Sequence, residues 1–120
     1  MEKHLSLYRE LKITKTELQQ AIGEDLHNVE CQKAYRIKRS DVVNAIQLLQ
    51  NGTISKDTLV EWVNVVWFTE LYVFDDDDAD SIVSVLEVLE TMDEEGVVIS
   101  ENELSEMITA LTSNTEYAPS

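Results

Sequence analysis

The sequence predicts an all-α fold, a small bundle of five to six helices around one central apolar helix. Three observations carry that prediction. Only three glycines and one proline occur in 120 residues, and Pro119 stands in the tail, which suits helices better than a turn-rich sheet protein. Apolar residues make up 43% of the chain, enough for a core in a domain that buries roughly two thirds of its unfolded surface. Third, "ITKTELQQAI" (13–22), "ISKDTLVEWV" (54–63) and "ISENELSEMI" (99–108) share one pattern: isoleucine, a hydroxyl residue, then leucine four residues on and another apolar residue four beyond. The hydroxyls of Thr14, Ser55 and Ser100 can accept from an unpaired first-turn amide. Glu17 and Glu103 can complete a capping box.

Taken in order, a short helix is predicted over 2–11, with Leu5, Tyr8 and Leu11 on one face. A second covers 15–22 and stops at Gly23, which tolerates the left-handed conformation of a C-terminal cap. Residues 24–39 have weak periodicity and read as irregular or partly extended chain. Ser40 or Asp41 can cap a helix through Gln50, with Val42, Val43, Ile46 and Leu49 inward and Asn51-Gly52 ending it. The segment 56–73 is apolar nearly all round (Leu59, Trp62, Val63, Val66, Trp67, Phe68, Leu71), which places it in the middle of the domain. Val and Trp in "WVNVVWF" favour strands, but helical spacing, caps and segment length outweigh that preference. Amphipathic helices follow at 78–92 (Ile82, Val85, Leu86, Leu89) and 101–112 (Leu104, Met107, Ile108, Leu111). The organisation is one helical domain over 1–112 and a disordered tail over 113–120.

Charge is distributed unevenly. The net charge is −15. All nine basic residues lie at or before position 56, against seven acidic ones there; residues 57–120 hold seventeen acidic residues and no lysine or arginine. Such a half repels phosphate backbones and anionic lipid, so neither nucleic acid nor a membrane surface is an expected partner. No stretch approaches the ~18 apolar residues of a membrane span, and no signal peptide is visible. Cys31 is the lone cysteine, which fits a reducing, cytoplasmic setting.

The negative charge peaks in "YVFDDDDADSIVSVLE" (72–87). From Asp76 the spacing Asp76-x-Asp78-x-Asp80, with Val83 at the eighth position and Glu87 at the twelfth, resembles the EF-hand calcium loop. Ser81 stands where that loop needs glycine, and residues 81–87 have helical periodicity. As a helix start, the run places aspartates at a positive N-terminal end, with Asp77 or Asp78 as the cap. That accounts for one or two carboxylates, not five within six residues. As a docking surface, the run steers a basic protein, with Tyr72, Phe74 and Trp67 beside it as candidate anchors. Trp62, Trp67 and Phe68 are better placed in the core than Tyr72. The basic stretch "KAYRIKR" (33–39) is expected either to pair with the acidic half, as a clasp on the 75–80 run, or to lie as a solvated edge strand.

No catalytic constellation is evident. His4 and His27 stand outside any motif, Cys31 has Glu30 beside it, and no phosphate-binding loop or paired Cys/His zinc spacing occurs. The expectation is a non-enzyme that needs no cofactor and no metal.

A small, acidic, cysteine-poor helical domain without chemistry of its own resembles the bacterial immunity proteins of bacteriocin and contact-dependent growth inhibition systems, helped by "NGTISKDTLVEWV" and "EEGVVISENELSEMI". The resemblance implies stoichiometric neutralisation of a basic toxin domain, such as a nuclease, by occlusion. Asp75, Asp76, Asp77, Asp78 and Asp80 would form the carboxylate face, Glu70 and Glu87 would flank it, and Tyr72 would be an anchor. Two rivals stay open: a degenerate EF-hand-like calcium-binding protein, and an acidic DNA-mimic inhibitor, which the carboxylates Glu94, Glu95, Glu101, Glu103 and Glu106 keep in play.

Overall fold

A computed structural model describes residues 2–23, 35–69, 71–94 and 96–117. Helix α1 (Glu2–Arg9) ends two residues before its expected limit because Leu11 turns left-handed, with φ 60°. Leu5 and Tyr8 are buried. Helix α2 (Lys15–Ile22) has the predicted capping box: Thr14 Oγ1 accepts from the Glu17 amide at 3.1 Å, and Glu17 Oε1 accepts from the Thr14 amide at 3.2 Å. Gly23 closes it at φ 81°, a conformation that side chains with a Cβ resist. Most of the irregular stretch expected over 24–39, with His27 and Cys31, lies outside the described residues. Its end is ordered: strand β1 spans Tyr35–Ile37.

Helix α3 (Arg39–Gln50) starts two to three residues earlier than the expected caps allow, with Lys38 at the cap position. Ser40 and Asp41 are inside its first turn, and Asp41 Oδ2 accepts from the Lys38 amide at 2.8 Å. Val42, Ala45 and Ile46 are buried, while Val43 and Leu49 are only partly so. Helix α4 (Lys56–Phe68) is capped by Ser55, whose Oγ accepts from the Thr58 amide at 3.2 Å. Leu59, Val60, Trp62, Val63, Val65 and Val66 are all buried, so this is the central helix.

The helix predicted through 73 stops at Phe68, and Tyr72–Phe74 forms strand β2 instead. The reason is a turn built on Thr69. Its hydroxyl donates to the Val65 carbonyl at 2.6 Å, and its oxygen accepts from the Leu71 amide at 3.3 Å. Both ends of that hydroxyl are occupied in a buried place, so the Val65 carbonyl and the Leu71 amide keep partners where the chain leaves the helix. Strand β2 pairs with β1 in parallel, Tyr35 opposite Tyr72, Arg36 opposite Val73 and Ile37 opposite Phe74. Parallel strands need a long crossover, which α3 and α4 supply.

Helix α5 (Asp76–Glu90) follows β2 almost without a loop and runs into a 3-10 turn, Thr91–Asp93. Helix α6 (Glu101–Ser113) is capped by Ser100, whose Oγ accepts from the Glu103 amide at 3.2 Å. Residues 113–117 do not form the loose tail predicted from 113. Ser113 is helical, Tyr117 is buried, and the Tyr117 amide donates to Ser84 Oγ at 2.9 Å; residues 118–120 lie outside the described residues. Helices α3 and α6 pack together, as do α4 and α5, around one core that includes Leu5, Leu18, Ile46, Trp62, Leu86 and Met107. Among the described residues the fold is a small helical bundle with one short strand pair. None of its described helices is long and apolar enough to cross a membrane.

Thr69→Val keeps the shape of the turn and removes both hydrogen bonds. It should destabilise the fold by about 1–3 kcal/mol in urea unfolding, leaving the Leu71 amide without its partner.

Candidate partner-binding face

The in-register parallel pair sets the geometry of the acidic joint. Each strand runs directly into a helix: β1 through Lys38 into α3, and β2 through Asp75 into α5. The first residues of the two helices therefore lie side by side. One junction is basic, the other acidic. Arg36 Nε lies 3.0 Å from Asp75 Oδ1, and Arg39 Nε lies 3.0 Å from Asp78 Oδ1. The clasp expected between 33–39 and 75–80 is present through these two pairs, with Lys33 outside the described residues.

The pairs are unequal. Arg36 and Asp75 are well exposed, so water and salt screen them and their contribution is small. Arg39 and Asp78 are mostly covered, and Arg39 Nη1 also donates to the Leu111 carbonyl at 2.9 Å. A cation at a helix C-terminus satisfies carbonyls that have no partner within the helix. Arg39 thus joins the starts of α3 and α5 to the end of α6. Asn114, left-handed at φ 51°, strengthens the same corner: its Nδ2 donates to the Asp77 carbonyl at 3.1 Å, and its Oδ1 accepts from Ser81 Oγ at 2.9 Å.

The five aspartates consequently divide. Asp75 is the N-cap of α5, displacing Asp77 and Asp78 from the predicted role, and its side chain makes no capping bond because it faces Arg36. Asp78 is held by Arg39. Asp76, Asp77 and Asp80 are exposed, as is Glu87, and no salt bridge among the described residues involves them. Asp76, Asp80 and Glu87, four and eleven residues apart, share one side of the helix. Glu70 lies outside the described residues.

Tyr72 is not placed as the anchor the sequence suggests. It is 4% exposed, and its hydroxyl donates to the Leu5 carbonyl at 2.7 Å; its strand position turns the ring into the core. Burial raises its pKa, against the opposing charge of Arg9. Arg9 itself lies 4.6 Å over the Tyr35 ring, donates to the Arg36 carbonyl at 3.1 Å and stands 3.6 Å from Asp41. Burial raises the Asp41 pKa, opposed by the Lys38 amide and Arg9. The EF-hand spacing is realised as continuous α-helix, so Asp76, Asp78 and Asp80 do not converge as they would in a loop. Among the described residues no group of three or more His, Cys, Asp or Glu side chains is placed to hold a metal.

Phe68 reverses its expected place. It is 50% exposed, and its ring stacks on Trp67 at 4.8 Å and 19°. The signal was available: Asp57, Glu61 and Asn64 form the polar stripe of α4 at helical spacing, and Phe68 is the next position on it.

No protein-family model, curated protein or solved structure matches this chain.

Arg39→Glu should lower stability by about 2–4 kcal/mol, since it leaves Asp78 facing a like charge and the α6 carbonyls without their donor. Arg36→Glu should change it by less than about 1 kcal/mol. Chemical denaturation of both variants at low salt makes the comparison.

Proposed function

We propose that the chain is an acidic protein-binding module that neutralises a basic protein by stoichiometric binding, in the manner of an immunity protein facing a cognate toxin domain. The observation that supports this reading is the division of the acidic joint. Asp75 and Asp78 are tied to arginines and hold the first turn of α5 in place, which leaves Asp76, Asp77 and Asp80 presented to solvent on a rigid element.

A helix start explains aspartates that complement the positive end or meet a cation. Asp80 does neither: it is a turn further along the helix, beyond the first turn where the dipole acts. Three exposed carboxylates within five residues repel one another and add to a net charge of −15, a burden that a positively charged partner relieves. Their fixed placement reduces the ordering that binding would otherwise require, and the field of the acidic half draws a basic surface in from a distance. Glu87 extends the face along α5. Occlusion of the partner's basic surface then needs no chemistry from this chain.

The test is co-expression with the product of the adjacent reading frame, followed by stopped-flow association with the wild type and with Asp76→Asn/Asp77→Asn/Asp80→Asn. The variant should associate about tenfold more slowly at low ionic strength, with the difference shrinking as salt rises and no fall in melting temperature. Unaltered association together with a higher melting temperature would mean that the run serves no partner.

A further inference from the structure

Phe68 is the one aromatic residue among the described residues that is half exposed, at 50%. Its ring is not loose: it lies against Trp67 with centroids 4.8 Å apart, so one face is backed and the other faces outward. Asp57, Glu61 and Asn64 precede it on the same stripe of α4, and these residues, with Asp93 and Lys15, line a cleft of about 440 Å³. Three carboxylates against one amine make that rim negative. An exposed apolar ring marks an interaction site when polar groups surround it. A negative rim around a π-face selects a cation, and a planar, weakly hydrated guanidinium stacks flat on such a face more favourably than a strongly hydrated ammonium. The same chain already makes this contact internally, with Arg9 4.6 Å over Tyr35.

We infer that Phe68, backed by Trp67 and rimmed by Asp57, Glu61 and Asp93, is a docking surface for an arginine on a basic protein partner. A second copy of the chain is a poor occupant, because two molecules at net −15 repel. The inference rests on the reading of the chain as a binder of basic proteins, and adds to it a surface that shares no residue with the α5 face. Aromatic and arginine side chains dominate the energetics of protein interfaces, so this patch supplies the short-range anchor that steering by Asp76, Asp77 and Asp80 lacks.

Two synthetic helical peptides of equal length and charge, identical except that every arginine in one is lysine in the other, make the probe. Each is titrated into the full chain, with calorimetry and tryptophan fluorescence as readouts. The arginine peptide should bind at least about fivefold tighter and alter the emission. Phe68→Ser should abolish that preference with an unchanged melting temperature. Asp76→Asn/Asp77→Asn/Asp80→Asn should weaken both peptides alike and leave the preference intact. Equal affinities for the wild type overturn the proposal, as does a preference that survives Phe68→Ser. A dimer that Phe68→Ser dissolves, or a variant that melts several degrees lower, overturns it too, by giving the ring another occupant. If the preference holds while the triple variant binds both peptides like the wild type, the α5 face fails and the Phe68 surface stands.

Discussion

The parallel pairing of Tyr35–Ile37 with Tyr72–Phe74 is the constraint on which the acidic joint depends. Three residues a side is a small sheet, and its hydrogen bonds contribute little by number. Its effect is positional. It brings together two points of the chain more than thirty residues apart and, because the strands run the same way, points both following helices outward from one line. Two helix N-termini are each partly positive, and placing them side by side would be unfavourable without anions. The aspartates after β2 supply those anions, and Arg36 and Arg39 after β1 then hold two of the carboxylates in register.

Local signals were readable from the sequence, and distant ones were not. Thr14, Ser55 and Ser100 cap their helices as predicted because a cap is made with an amide three residues away. The buried stripe of α4 was legible for the same reason. The sequence places the start of α3 too late because Ser40 and Asp41 resemble caps, whereas Asp41 acts from the third helical position, back onto Lys38. The stretch "LYVF" continues the apolar periodicity of α4, so the switch to a strand was invisible there. It depends on the Thr69 turn and on a partner strand remote in sequence.

The candidate site was legible in composition and less so in roles. Five aspartates stood out, but only the strand register separates the two that meet arginines from the three that meet water. Tyr72 and Phe68 exchanged their expected places, since β geometry turns Tyr72 inward toward Leu5 while α4 ends with Phe68 on its polar stripe. An apolar residue on a polar stripe is a local contradiction, and such contradictions tend to occur where a protein meets something else.

Arg39 contacts both Asp78 and the last carbonyls of α6, and Asn114 reaches back to Asp77. The first turns of α3 and α5 and the last turn of α6 are therefore joined at one corner, and their amides are expected to exchange with solvent through a shared opening rather than by separate fraying. A basic partner that gripped the outer carboxylates would tighten that corner, and the tightening would be registered at Asn114, far along the chain from the aspartates themselves.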